Sequence, residues 1–358
     1  MAQRTRTRLI GLGAALAVVL SVVGVTVVRA DPNPNLAPVT AAELLASTVR
    51  ASAQPVSISG EVTTRVDLGL PQLPASLGGS DGSVSALLGS QRYKVWRSPE
   101  GLRVANILEL GEQTLIANRT EAWWWQSDGM QAEHLVYADL GGLGSASDGE
   151  HGAWFGPGQD PSSAQRRFDP SAMAPLALAA LAPYADVTVD GTARVAGRAA
   201  YELVLTPTSS ETLIGTLAVA VDAETRLPLR LQVTAKGAAE PSIELGFTSV
   251  SFDAIDPSVF AFTPPTGARI SSPEPPKGHD ADHAMGAMPS PTVRTFGSGF
   301  GARVAVRLDG PLPAEAAAVL PYAGPLASVL PVDAGGRTWL LFGFVSLDTL
   351  RGDADRLA

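Results

Sequence analysis

The chain of 358 residues contains no cysteine. That excludes disulfide staples, thiol catalysis and a lipidated N-terminal cysteine. An exported protein does without disulfides when its core is large enough, and an apolar content of 45% supplies one. Basic charge is also short. Against 35 Asp and Glu stand 26 Lys and Arg, giving a net charge of −9 and a pI near 5.0. The only lysines are Lys94, Lys236 and Lys277. Such a balance argues against a nucleic-acid partner, which demands a basic surface. Of the four histidines, His134 and His151 lack a nearby Gly-x-Ser-x-Gly elbow. There is no phosphate-binding loop, and Gly297-Ser298-Gly299-Phe300-Gly301 lacks the further glycine of a dinucleotide fingerprint. The chain is therefore expected not to be an enzyme and to need no cofactor.

What is present begins at the N-terminus. Arg4, Arg6 and Arg8 precede an apolar run from Leu9 to Val28, closed by Arg29-Ala30-Asp31. Residues 1–30 read as a signal peptide or an N-terminal membrane anchor, since a run of this length also spans a bilayer. Either way the positive start places everything after Asp31 outside the cytoplasm, secreted or held at the plasma membrane. A helix then announces itself. Thr40 and Glu43 form a capping box, Val39 and Leu44 a hydrophobic staple, and Leu44, Leu45, Thr48 and Val49 an apolar stripe. It should end near Gln54-Pro55.

From Val56 to about Phe262 the chain is a series of strands. Alternation is clear over 56–66, and further strands are expected at 91–97, 102–107, 113–118 and 121–126. After an apolar helix over Ser171–Leu181, they resume at 187–189, 199–205, 217–221, 228–234 and 243–252. An antiparallel sheet this long must curl and bury one face. Three stretches suggest what lies there. Leu68 to Leu88, with Leu70 and Leu73, is apolar but full of helix and strand breakers, so it either packs under a loop or gates a cavity. Trp123 and Trp125 share one strand face while Trp124 takes the other, which fits either core packing or a cavity wall. His279 and His283, with Met285 and Met288, have metal-ligand chemistry but sit among Pro and Gly with no scaffold, so a solvated linker is expected and no metal.

Several local patterns resemble the outer-membrane lipoprotein carrier family, LolA, and its relatives, including the N-terminal domain of the RseB/MucB stress regulators and LolA-like exported proteins of actinobacteria. They are Val195-Ala196-Gly197, then Tyr201 to Pro207, then Val221-Asp222 with Leu227-Pro228-Leu229-Arg230. The closing run Phe252-Asp253, then Asp256 to Gly267, is the most specific. The resemblance covers about residues 40–270. It implies an α+β fold: an open, strongly curved antiparallel β half-barrel with capping helices over residues 36–268, binding acyl chains without catalysis. The expected lipid-binding wall is Leu70, Leu73, Trp96, Ile107, Trp123, Trp125 and Phe247. Arg97, in Val95-Trp96-Arg97-Ser98-Pro99, corresponds to a family arginine that helps latch the lid, although here Ser98 intervenes before the proline.

Residues 269–292 read as a Pro-rich linker and 293–358 as a small C-terminal α+β domain. In that tail strands are expected at 303–308 and 338–345, a broken helix over Pro313–Val329, and a last helix capped by Ser346. The partners expected are acyl chains of a lipid or lipoprotein and the cell membrane. If the chain instead acts as an envelope-stress regulator, a membrane-bound anti-sigma factor is the protein partner.

Overall fold

The computed structural model describes residues 34–69, 89–108, 110–136, 170–272, 292–308, 310, 312 and 314–357. The first helix, α1 (Ala41–Ser52), starts at the expected capping box. Thr40 Oγ1 accepts from the Glu43 amide at 3.3 Å, and the Glu43 carboxylate accepts from the Thr40 amide at 3.1 Å. Leu44 and Thr48 are buried along its stripe, while Val49 at the stripe's margin is 40% exposed.

Strands follow in two blocks. The first holds β1 (Ile58–Val66), β2 (Gly89–Ser98), β3 (Gly101–Leu108), β4 (Gly111–Asn118), β5 (Glu121–Gln126) and β6 (Gln131–Val136). Helix α2 (Pro170–Leu181) intervenes. The second holds β7 (Ala185–Val195), β8 (Arg198–Pro207), β9 (Ile214–Asp222), β10 (Pro228–Ala235) and β11 (Ile243–Ser251). A short β12 (Arg269–Ser271) adds to β6 in parallel, so the first residues after the expected half-barrel still belong to its sheet. All other neighbours are antiparallel, in the order β12-β6-β5-β4-β3-β2-β1-β11-β10-β9-β8-β7.

The sheet is open, with β12 and β7 as its edges, and strongly curled. Cα atoms of β7 and β11 approach within 8 Å, whereas a flat sheet would hold strands four places apart at about 19 Å. Within that stretch the register shifts between Val189 and Thr192, between Pro228 and Arg230, and between Thr234 and Ala235. A bulge shifts the β1–β11 register between Glu61 and Val62, where a Cβ on Gly60 would lie 2.0 Å from the Ser249 carbonyl oxygen. Ala196 and Gly197, both at positive φ, make the tight two-residue turn from β7 to β8.

A second sheet contains β13 (Val293–Phe296), β14 (Arg303–Arg307), β15 (Tyr322–Ala323), β16 (Ser328–Ala334) and β17 (Arg337–Gly343), in the order β13-β14-β17-β16-β15. The broken helix expected over 313–329 is instead one turn, α3 (Ala314–Ala317), followed by strand. The apolar residues Val329, Leu330 and Val332 pair with β17, and that pairing outweighs their modest helix preference. Ser346 caps the last helix, α4 (Leu347–Ala354), accepting from the Thr349 amide. On one face this sheet packs Ala305, Trp339 and Leu341 against Leu350 and Leu357. Its other face joins the main core, through Val329, Leu340 and Phe342.

The helix-covered face of the sheet

Directly paired residues in a sheet share a face, so the register sorts every side chain. Ile58, Val62 and Val66 pair with Arg97, Tyr93 and Gly89 on one side, and Val62 and Val66 with Phe247 and Ile243 on the other. The same face continues through Val95 to Val104, Leu115 and Trp124, and through Leu245 to Leu231, Val219 and Leu203. It is mainly apolar, with Thr64, Arg97 and Asn106 among its apolar residues and Glu133 opposite Trp124 on β6. Helix α2 lies against it, with Ala174 and Leu178 fully buried in the same cluster as Leu203, Val219 and Leu231, and Met173 against Tyr93, Val95 and their neighbours.

Helix α2 is unusual for a cover. Its twelve residues include no charged side chain, Pro175 lies inside it, and Leu176 is 53% exposed. An interior proline costs a backbone hydrogen bond, so packing rather than propensity holds this helix. At its first turn Arg97 Nη2 donates to Ser171 Oγ at 2.8 Å. The predicted latch residue is therefore on the helix-covered face and touches the helix. Ile58, Val62, Val95, Leu229 and Leu245 have no accessible surface at all, so this part of the face is closed in this structure.

The structure divides the predicted wall. Phe247 belongs to the helix-covered face and is 2% exposed. Trp96, Ile107, Trp123 and Trp125 stand on the opposite face, because Trp96 pairs with Arg103, Ile107 with Glu112, Trp123 with Ile116 and Trp125 with Thr114. Leu70 and Leu73 lie outside the described residues, as do His279 and His283. Trp123 stacks on His134 with ring centroids 3.7 Å apart, and Phe262 covers both Trp123 and Trp125 at 5.5 and 5.8 Å. His134 Nε2 meets Glu121 Oε2 at 2.6 Å. Trp96 carries Arg103 at 5.8 Å, and Ile107 is 37% exposed. The cover here is the irregular strap that follows β11. It is pinned where Asn118 Nδ2 donates to the Phe260 carbonyl at 3.1 Å, and Phe260 packs against Gly101, where a Cβ would sit 2.8 Å from the ring.

The residue the sequence reasoning passed over is Trp124. It is half-buried on the helix-covered face, and the strand alternation already separated it from its two neighbours. Nothing local said which of the two faces the helices take.

Between β1 and β8 the opposite face is polar. Arg230 Nη2 binds Glu202 at 2.7 Å and its Nε lies 4.0 Å from Glu244. Burial pushes the Glu244 carboxyl above its ordinary value, against the hydrogen bond from Gln232 and the charges of Arg230 and Arg65. Asp222 goes the other way. Burial alone would raise it, but the Arg198 fork at 2.6 and 3.0 Å and the Thr225 donors hold it below the usual range. Among the described residues no cluster of three His, Asp or Glu could hold a metal ion.

Fold and site together define a class: an open antiparallel half-barrel with an apolar face under helices and a second, smaller sheet docked on the same core. No protein-family model matches the chain, and no match is found among curated proteins. Solved structures do match. MucB in complex with MucA from Pseudomonas aeruginosa is 17% identical, with 88% of this chain and 96% of that one covered, at a TM-score of 0.45. A LolA superfamily protein from Nitrosomonas europaea is 11% identical over 63% of this chain and 99% of that one, at 0.25. A putative outer membrane lipoprotein-sorting protein domain from Vibrio parahaemolyticus is 11% identical over 60% and 94%, at 0.22. The structural neighbours thus include both groups that the motifs of residues 195–267 resemble.

Proposed function

We propose that this chain is an exported binding protein that shelters acyl chains of a lipid or lipoprotein between the helix-covered face and α2. The observation that carries the reading is the contrast between that face and its cover. The face is mainly apolar from β3 through β1 to β8, and α2 rests on it as an uncharged, proline-interrupted helix contacted by Arg97 at its first turn. When α2 lifts, each methylene of an incoming chain gains about 0.8 kcal/mol on leaving water, which offsets the apolar contacts the helix gives up. No reaction is assigned to the site: it binds and releases. The chain works outside the cytoplasm in this reading, free or anchored by its N-terminal segment. Among the described residues, no helix is long and apolar enough to cross a membrane.

A second reading has its own observation. The small sheet shares one core with the half-barrel, so an acyl chain that displaces α2 also disturbs the packing of Val329, Leu340 and Phe342. A regulator that reports lipid to a membrane-bound anti-sigma factor would use that coupling.

The cysteine-free background allows a direct test of the first reading. Arg97→Cys and Ser171→Cys are bridged by a short bismaleimide, locking α2 down, and uptake of a fluorescent fatty acid is followed without detergent. Uptake by the open form and its loss on bridging are expected. Failure of the unmodified protein to take up any acyl chain sinks the carrier reading and moves the case to the regulator.

A further inference from the structure

The two ends of the half-barrel differ. At the end where β1 finishes and β9 begins, the second sheet is docked. The Leu213 amide donates to the Phe344 carbonyl at 2.7 Å, Thr212 Oγ1 donates to the same carbonyl at 3.0 Å, and the Tyr322 hydroxyl donates to the Leu68 carbonyl. Phe300, Leu326 and Phe342 bury themselves there with Val66, Leu68 and Ile214. That end is closed by the chain itself.

At the opposite end, where β1 begins and β11 ends, there is a half-open cavity of about 440 Å³. This lies within the usual range for small-ligand sites, ~300–1,000 Å³. It sits between the end of α1, the β9–β10 turn and the strap after β11, lined by Ala51, Gln54, Val56, Leu227, Phe252 and Ala254 among others, with no charged residue. Arg198 lies over the Phe252 ring at 4.9 Å and is held by Asp222 and Glu224, while Arg226, between the lining residues Thr225 and Leu227 in the chain, lies over the Tyr201 ring at 5.0 Å. The lining itself is uncharged and mostly apolar, so the cavity suits an apolar group. Its floor is continuous with the apolar face, since Phe252 packs against the cluster of Ile58, Leu229 and Phe247.

The same end receives the N-terminal segment. The Pro34 carbonyl accepts from Thr192 Oγ1 at 2.9 Å, and the Ala37 carbonyl from the Tyr201 hydroxyl at 2.8 Å. Only six residue steps separate Pro34 from Val28, the last residue of the apolar run, a reach of at most about 20 Å. A membrane holding that run keeps this end, and not the docked end, close to its surface.

We propose that this cavity is the entry port through which the end of a membrane lipid's acyl chain reaches the helix-covered face. The inference rests on the acyl-binding reading above and adds to it a direction, a port and a source. The test uses the full chain in phosphatidylglycerol and phosphatidylethanolamine vesicles containing a phospholipid with a diazirine on its acyl chain. Gln54→Trp with Ala254→Trp fills the rim from two exposed positions, and Leu110→Trp, at a 98% exposed site at the docked end, is the control. Expected are crosslinks at Leu227 and Phe252 in the unaltered protein, labelling slowed at least about tenfold by the rim pair, and no change in the control. Labelling of the α2-covered face at an undiminished rate in the rim pair overturns the port and leaves the acyl-binding reading standing. No labelling of the unaltered protein overturns both.

Discussion

The two faces of one strand pair, β4 and β5, carry nearly equal apolar content under different surroundings. On one, Trp123, Trp125 and Ile116 are sealed under Phe262 by a strap whose backbone is bonded to the sheet. On the other, Leu115 and Trp124 extend the apolar cluster against which Met173 of the uncharged helix α2 packs. Burying an indole does not make it part of a site. In the acyl-binding reading proposed above, the kind of cover separates wall from structure: the strap, bonded by Asn118 and packed on the indoles, stays, whereas α2, held by apolar burial and the Arg97 contact, gives way to a ligand that offers the same apolar contacts.

That contrast can be broken or sharpened by substitution. Trp123→Ala and Phe247→Ala should both cost about 3–5 kcal/mol in denaturant unfolding, because both leave large cavities. Only Phe247→Ala should alter acyl uptake, and equal effects on uptake would erase the distinction between the faces. Trp124→Ala, at a half-buried position, should cost only about 1–2 kcal/mol yet weaken acyl binding more than Trp123→Ala does. Arg97→Gln should lose about 1 kcal/mol with the contact to Ser171. It should also speed amide exchange across residues 170–181 while leaving residues 256–262 unchanged.

The smallest effect tests the polar centre of the opposite face. The folded Glu244 carboxyl holds its proton to higher pH than the unfolded one, whose ordinary value is 4.5. Folding therefore binds protons in the window just above that value, and this group's contribution to stability falls as pH rises through the window. Glu244→Gln should flatten the urea-midpoint profile in the window above 4.5. An unaltered slope would place the burial cost elsewhere.

Much of the sheet was legible because alternation is a local property. The β1, β3, β4 and β5 strands and the capping box of α1 lie within a residue or two of where the spacing puts them. β6 is faint in the sequence because Gln131-Ala132-Glu133-His134 holds only the small Ala132 as an apolar residue among polar ones. β16 was misread because Val329-Leu330-Pro331-Val332 becomes strand only through β17. Arg97, the expected latch, hydrogen-bonds Ser171 of α2, and Phe247 lies on the same face. Trp96, Ile107, Trp123 and Trp125 do not, since alternation gives the relative face of each side chain and never which face the helices cover.

The sequence by itself determined the absence of thiol chemistry, the acidic balance, the strand periodicity and the side-chain pairing within each strand. These depend on neighbours one or two positions away. Only the tertiary structure decided which face α2 covers, that the strap claims the tryptophan pair, and that the second sheet closes one end and leaves the other open. Each of those choices is made between segments tens to hundreds of residues apart, by which apolar surfaces fit together, and no local pattern encodes that fit.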